Sequence, residues 1–495
     1  MLISNKNEIW FTRVVAGIIS FGVIAAIINF LHNRSLWFDE SLLALNVVNK
    51  SYLELLRPLD YNQVAPVGFL FIEKFLSTLT GNHDWSLRIF PFLCYIGSFP
   101  LLYFFNMKLH GSKYASLVCV AFFAINSTIV YYSFEVKQYS TDVFAAILLL
   151  FIGLKLIEDI GNKKTAIIYS IIGTIAVFIS NVSIVLIITN FIVVFYKRYF
   201  QKKKLDYFVW IPIFSWIISF TVYFYFFIYH HPSKKSMLRY WTQKDAFLPI
   251  NTFNSKPYLF IYDKMNMIFN SIISNNTFGW IYFILFAIGL FLFLKMRKSL
   301  FIIILPVILH LILSSLKLYP FHSRLILYLI PLFLTVISFA FYFVFERLKE
   351  KKPMLSFVVL ILLFLNAYSL ASIVPFEKEE VKKCMDYISK DPEEYENIYL
   401  YCSTDPVFKF YQKNYDCFNK KINYIQGDWH REDWSKHSQD IKKINGDSWL
   451  IFSEVYISNG KSEADYIIDM LKLKGFSIVN SKEFAGAICY KVSKN

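Results

Sequence analysis

The sequence predicts an α-helical polytopic membrane protein that ends in a small extracytoplasmic α/β domain. Three observations carry that expectation. Hydrophobic residues make up 56% of the 495-residue chain and charged residues only 18%, whereas soluble domains hold about a quarter charged residues. Long apolar stretches recur as far as residue 374, and the composition turns hydrophilic after Pro375. Basic residues gather at the ends of alternate stretches. An ordinary soluble enzyme is excluded, and aromatic residues at 19% exclude disorder.

A spanning helix needs about 20 mostly apolar residues, and about eleven stretches qualify. They lie near 10–31, 88–107, 114–133, 139–157, 165–180, 182–197, 207–229, 277–294, 299–316, 325–345 and 354–374. Lys6 and Arg13 flank the first, and no small-residue cleavage site follows a short apolar core, so it reads as an uncleaved helix with a cytoplasmic N-terminus. The even-numbered stretches then end in basic connections: Lys108 and Lys113; Lys155, Lys163 and Lys164; Lys197, Arg198 and Lys202 to Lys204; Lys295, Arg297 and Lys298; Arg347, Lys349, Lys351 and Lys352. These hold most of the formal net charge of +15. The surplus therefore serves orientation by the positive-inside rule, not nucleic-acid binding. An odd number of spans puts the C-terminus outside the cytoplasm, with the chain in the plasma (inner) membrane.

This gives residues 1–375 as the membrane domain, with outer loops 32–87 and 231–276, and residues 376–495 as the extracytoplasmic domain. In the first loop Glu40 to Val48 and Pro66 to Leu79 read as short helices lying along the membrane surface. The second mixes Lys234, Lys235 and Arg239 with Tyr240 and Trp241, a composition suited to the lipid interface. In the tail, Ile398 to Tyr401, Trp449 to Phe452 and Ala487 to Val492 read as strands, and Pro406 to Asn414 and Glu463 to Lys472 as helices. Cys384, Cys402, Cys417 and Cys489 could pair in an oxidising compartment or stay as buried thiols; their spacing specifies no connectivity.

The most informative string is Ser35-Leu36-Trp37-Phe38-Asp39-Glu40-Ser41, just past the first span. Adjacent carboxylates at a membrane boundary are costly unless used or paired, which makes them functional candidates. Asp39 could equally cap a helix starting at Glu40, with Trp37 as an interface anchor. Gln63-Val64-Ala65-Pro66, Trp85-Ser86-Leu87-Arg88, the turn Tyr131 to Tyr139 and the turn Lys317 to Arg324 all fall on the same side of the membrane in this topology. Each has a plainer reading. Glu135 and Lys137 could pair with each other, and Arg88 could snorkel from a helix end. His230-His231 lacks a third ligand in view, so no obligatory metal is expected, although a divalent cation is possible. His310 and Asn126 read as hydrogen-bonders between helices.

Taken together, the Trp-Phe-Asp-Glu string, Gln-x-x-Pro, Leu-Arg-Ile-Phe-Pro at residues 87–91, Tyr-Tyr-Ser-x-Glu-x-Lys-x-Tyr and Tyr-Pro-x-x-x-Arg before a Pro-containing helix resemble the polytopic GT-C glycosyltransferases. The likeness is to those related to glycosyltransferase family 39, which includes protein O-mannosyltransferases and bacterial lipid A aminoarabinose transferases. It implies a GT-C fold and transfer of a sugar from a polyprenyl-phosphate donor to a glycan, lipid or protein acceptor on the extracytoplasmic face, with inversion by analogy. Asp39 would accept the acceptor proton and Glu40 would orient the loop. Arg324 is the first candidate for the donor phosphate, because a guanidinium clamps phosphate oxygens bidentately. Lys317, His322, Lys137, Glu135, Arg88, Tyr139 and Gln63 complete the expected substrate-binding set. Where many relatives carry Arg this chain has Lys137, a point charge instead of a planar fork.

Two other functions fit the same composition. A transporter or flippase for lipid-linked saccharides would place polar sites near the bilayer midplane, often in related halves, and no repeat is visible. A polymerase or ligase using the same donors has no reason to place an Asp-Glu pair right after the first span.

Overall fold

The structure, a computed structural model, describes residues 2–158, 162–200, 207–250, 255–273, 279–295, 301–347, 352–391, 395–419 and 422–494. Lys202 to Lys204, Arg297, Lys298, Lys349 and Lys351 of the basic connections lie outside the described residues. The chain divides into two compact units. The first holds residues 1–31, 52–80 and 86–374; the second holds 32–51, 81–85 and 375–495.

In chain order the helices up to residue 371 are α1 (Leu2–His32), α2 (Phe38–Asn49), α3 (Val67–Leu79), α4 (Ile89–His110), α5 (Lys113–Ala124), α6 (Ser127–Tyr132), α7 (Tyr139–Glu158), α8 (Lys163–Ile179), α9 (Ser183–Phe200), α10 (Trp210–Tyr223), α11 (Lys234–Gln243), α12 (Lys256–Ile273), α13 (Gly279–Lys295), α14 (Phe301–Ser315), α15 (Ile330–Arg347) and α16 (Lys352–Ala371). Every apolar stretch of the sequence falls on a helix. Among the described residues, length and apolarity together suffice to cross a bilayer in five helices: Glu8–His32, Trp85–His110, Tyr139–Leu156, Tyr207–Tyr229 and Ser323–Phe343. Five shorter apolar helices accompany these, so the chain is a multi-pass membrane protein, but the structure does not bear out a count of eleven spans. One reason is local. The stretch 114–133 breaks after Ala124, because the Asn126 side chain accepts the Ile129 N–H at 2.8 Å and starts α6 as a new helix.

The helices of the first unit pack as neighbours α4 with α7, α13 with α15, α8 with α10, α5 with α15 and α7 with α9. Two glycines allow close approach. A methyl group at Gly22 of α1 or Gly289 of α13 would run into the backbone carbonyls of Ala124 and Val336, respectively. Asn126 also reaches across to α12, donating to the Ser271 carbonyl at 3.1 Å. Helix α3 buries Val67, Leu70, Glu73 and Ser77 along one face against α4 and α8, as its amphipathic pattern requires.

The second unit contains α2, α17 (Val381–Ile388), α18 (Asp405–Tyr411), α19 (His437–Ile441) and α20 (Glu463–Leu473), with strands β1 (Asn397–Leu400), β2 (Asn423–Gln426), β3 (Ser448–Ser453), β4 (Ile457–Ser458), β5 (Lys461–Ser462), β6 (Phe476–Phe484) and β7 (Ala487–Lys494). Its main sheet has the order β2-β1-β3-β7-β6. β1 pairs parallel with β2 and β3, while β7 is antiparallel to β3 and β6. β1 and β3 are buried along their whole length, which explains their unbroken apolar runs. Asn459 and Gly460, both at positive φ, turn the small β4-β5 hairpin. None of Cys384, Cys402, Cys417 and Cys489 is in a disulfide; Cys417 is half-buried and the other three are buried.

Helix α2 departs from the expectation of an amphipathic surface helix. Its residues Glu40 to Val47 are all buried, and it packs against α18. Leu42, Leu43, Ala44, Leu45 and Val47 make it apolar all round, which suits a core helix.

Candidate active site

The Trp-Phe-Asp-Glu string opens α2 within the second unit. Trp37 is extended (φ −87°, ψ 171°) and stands at the cap position, so α2 begins at Phe38 and Asp39 is not its cap. Asp39 is instead the second helical residue, half-buried, in the turn whose free N–H groups favour an anion. Glu40 faces inward. Its carboxylate accepts the Arg34 guanidinium at 2.8 Å and the Trp37 N–H at 3.3 Å, with Arg34 and Glu40 side chains fully buried.

Residues of the same unit hold the segment before α2 in place. The Leu36 N–H donates to the Tyr411 hydroxyl at 2.9 Å, and that hydroxyl donates to Asp84 at 2.8 Å. The Lys378 ammonium lies 3.1 Å from the centre of the Trp37 ring. The Phe38 N–H donates to Glu379 at 2.9 Å. Burial pushes the Glu379 carboxyl up to about 7, against the lowering effect of that N–H.

The remaining sequence candidates belong to the first unit. The Lys137 ammonium donates to the Gln63 side-chain oxygen at 2.8 Å, with both residues buried. The structure thus brings together two positions 74 residues apart in sequence. Glu135 is fully buried in the same turn. Arg88 ends a short 3-10 turn (Trp85–Arg88) and is fully buried in protein, which excludes the snorkelling alternative. Arg324 lies over the Tyr139 ring at 5.4 Å.

His310 of α14 fixes the turn that carries Arg324. It bonds the Pro320 carbonyl and the Tyr328 hydroxyl, both at 3.0 Å, and the Phe321 N–H donates to the Ala246 carbonyl at 2.8 Å. Lys317 is exposed in this turn at a φ of 56°. Burial first, and then Lys264, Lys244 and Arg324, bring the His322 imidazole down to about 4. It is neutral at pH 7, so it offers a hydrogen bond and no positive charge. His230 and His231 turn back to their own backbone, at Tyr225 and Ser233.

No protein-family model matches the chain, and no curated protein sequence matches it. Solved structures do. The crystal structure of ArnT from Cupriavidus metallidurans bound to undecaprenyl phosphate superposes with a TM-score of 0.50 at 10% identity, covering 96% of this chain and 98% of that one. The Archaeoglobus fulgidus oligosaccharyltransferase gives a TM-score of 0.46 at 11% identity, covering 87% of this chain and 67% of that one. The chain has the GT-C fold.

The sequence reading missed several buried polar residues. Arg34 lies six positions before its partner Glu40, across an irregular segment with no periodicity to link them. Glu379 follows the last apolar stretch and carries no motif. Glu73 of α3 is fully buried and, among the described residues, neither carboxylate oxygen has a hydrogen-bond partner; burial raises its pKa well above the ordinary value. Its signal was legible: a carboxylate standing in the apolar stripe of an amphipathic helix.

Proposed function

We propose that this protein is a membrane glycosyltransferase that moves a sugar from a polyprenyl-phosphate donor to a glycan, lipid or protein acceptor on the extracytoplasmic face. The supporting observation is the GT-C fold over 96% of the chain together with an Asp-Glu pair opening the helix that follows the first apolar span. The undecaprenyl phosphate bound in the ArnT structure supports the choice of a polyprenyl-phosphate donor.

Asp39 takes the proton from the acceptor hydroxyl as its oxygen attacks the anomeric carbon. The bond from that carbon to the phosphate oxygen breaks, polyprenyl phosphate leaves, and the anomeric centre inverts. Arg324 carries the charge that grows on the leaving phosphate, supported by Lys137 and Lys317, with neutral His322 donating a hydrogen bond. Glu40 acts through its bonds to Arg34 and Trp37, holding the first turn of α2 that presents Asp39. Tyr139 backs the Arg324 guanidinium, Gln63 orients Lys137, and Glu135 and Arg88 set the buried charge around them. The step needs no metal. The chain sits in the plasma (inner) membrane with its N-terminus cytoplasmic and its C-terminal domain outside.

Membranes containing the protein, supplied with labelled polyprenyl-phosphate sugars, test the proposal. Label is expected to leave the carrier lipid for a stable glycoside. Label that crosses the bilayer still joined to polyprenyl phosphate would identify a transporter instead.

A further inference from the structure

The second unit contains a polar cluster that transfer does not use. His430, His437 and Asp440 bring one ligand atom each to within 4.8 Å of one another. His437 and Asp440 stand three apart on α19 and so share a face; His430 comes from the segment ahead of it. His437 and Asp440 are fully buried and His430 nearly so.

The spacings do not suit hydrogen bonds. His430 Nε2 lies 3.4 Å from Asp440 Oδ2, and His437 Nδ1 lies 4.0 Å from the same oxygen. Among the described residues His430 Nε2 and both ring nitrogens of His437 have no hydrogen-bond partner. Buried imidazoles ordinarily satisfy their nitrogens. Ligands about 2.1 Å from a tetrahedral metal are about 3.4 Å from each other; the His430–Asp440 spacing matches this, and the wider spacings, up to 4.8 Å, close to it by small side-chain movements.

The surrounding groups fit the same chemistry. Glu463 Oε1 lies 3.5 Å from His437 Nε2, on the side away from Asp440, while the Tyr401 hydroxyl donates to the other Glu463 oxygen. A carboxylate behind a ligating histidine fixes its tautomer, and Glu463 is placed to take the Nε2 proton's hydrogen bond once a metal draws on Nδ1. Asp440 is itself anchored, since Oδ2 accepts the Asp428 N–H at 3.0 Å and Oδ1 lies 3.5 Å from the Lys443 ammonium.

We propose that His430 Nε2, His437 Nδ1 and Asp440 Oδ2 bind a divalent zinc-type cation, with water as fourth ligand and Glu463 orienting His437. Two nitrogens and one carboxylate oxygen are a donor set suited to zinc. The ion pins the segment between β2 and β3, which holds only a 3-10 turn and the five-residue α19, onto α20. This proposal is independent of the transferase reading.

The test uses the full-length protein in detergent, stripped with a chelator and re-equilibrated with Zn²⁺ alone. About one zinc per chain should remain on the wild type, with affinity at least about tenfold weaker in His430→Gln, His437→Gln and Asp440→Asn. Zinc should also slow amide exchange across residues 427–447. Co²⁺ in the unmodified protein should give the visible spectrum of a tetrahedral nitrogen and oxygen site. Failure of the wild type to retain zinc, zinc affinity unchanged in all three variants, or an octahedral cobalt spectrum would each overturn the proposal.

Discussion

The Arg34 guanidinium donates to the Glu40 carboxylate at 2.8 Å with both side chains shielded from solvent. Glu40 also accepts the Trp37 N–H, so one carboxylate ties the approach to α2 to its first turn. The second member of the Asp-Glu pair is thereby occupied in holding structure.

Removing one partner of a buried ion pair strands the other. Arg34→Met should therefore destabilise the second unit by about 3–5 kcal/mol. Thermal unfolding in detergent, followed by tryptophan fluorescence, measures it. Glu40→Gln keeps an acceptor for the Trp37 N–H and loses only the charge facing Arg34, so it should fall between wild type and Arg34→Met. Unchanged unfolding in both would contradict the role given to the pair.

Glu379 sets a pH dependence. Its folded pKa of about 7 lies above the ordinary 4.5, so the folded chain holds a proton that the unfolded chain has lost between those values. Stability from this group is complete below about pH 4.5, declines as pH rises, and is gone above about pH 7, a change of up to about 3 kcal/mol. Unfolding midpoints from pH 4.5 to 8 should fall more steeply for wild type than for Glu379→Gln. Parallel pH profiles would show that the carboxyl ionises normally.

Arg324 and Lys137 should separate by chemistry. Replacing Arg324 with Ala removes charge-assisted hydrogen bonds of about 1.5–3 kcal/mol, or roughly 10- to 100-fold in kcat/KM for the donor. Arg324→Lys should recover only part of this, because an ammonium cannot clamp two phosphate oxygens. Steady-state transfer at varied donor concentration reads the difference, and full recovery with Lys would count against bidentate binding.

His310 holds the Arg324 turn through its bonds to the Pro320 carbonyl and the Tyr328 hydroxyl. His310→Phe loses the bonds to Pro320 and Tyr328 and should lower transfer, while His310→Gln, which keeps hydrogen-bonding capacity, should restore part of it. Equal activity in the two variants would show that the turn holds itself.

Much of this architecture was legible in the sequence because a helix in an apolar setting needs only length and composition to announce itself. The stretches at 139–157 and 325–345 became the apolar helices Tyr139–Leu156 and Ser323–Phe343. The strands at Ile398, Trp449 and Ala487 were found because burial on both faces leaves an unbroken apolar run. β6 was missed for the opposite reason: most of its residues are exposed, and it is an edge strand. Asn126 could be read as a bonder between helices but not also as the cap that ends a span. The site was half legible. Motif strings pointed to Asp39, Glu40, Lys137 and Arg324 as candidates, whereas the contacts of Arg34 and Glu379 and the approach of His430 to His437 are encoded by no local spacing.

Sugar transfer from a labelled polyprenyl-phosphate donor, compared between wild type and Asp39→Asn with donor binding measured alongside, tests the central claim most directly. The account predicts that Asp39→Asn retains donor binding and loses transfer by about 10²- to 10⁴-fold, the usual contribution of a general base. Transfer at the wild-type rate by Asp39→Asn would contradict it.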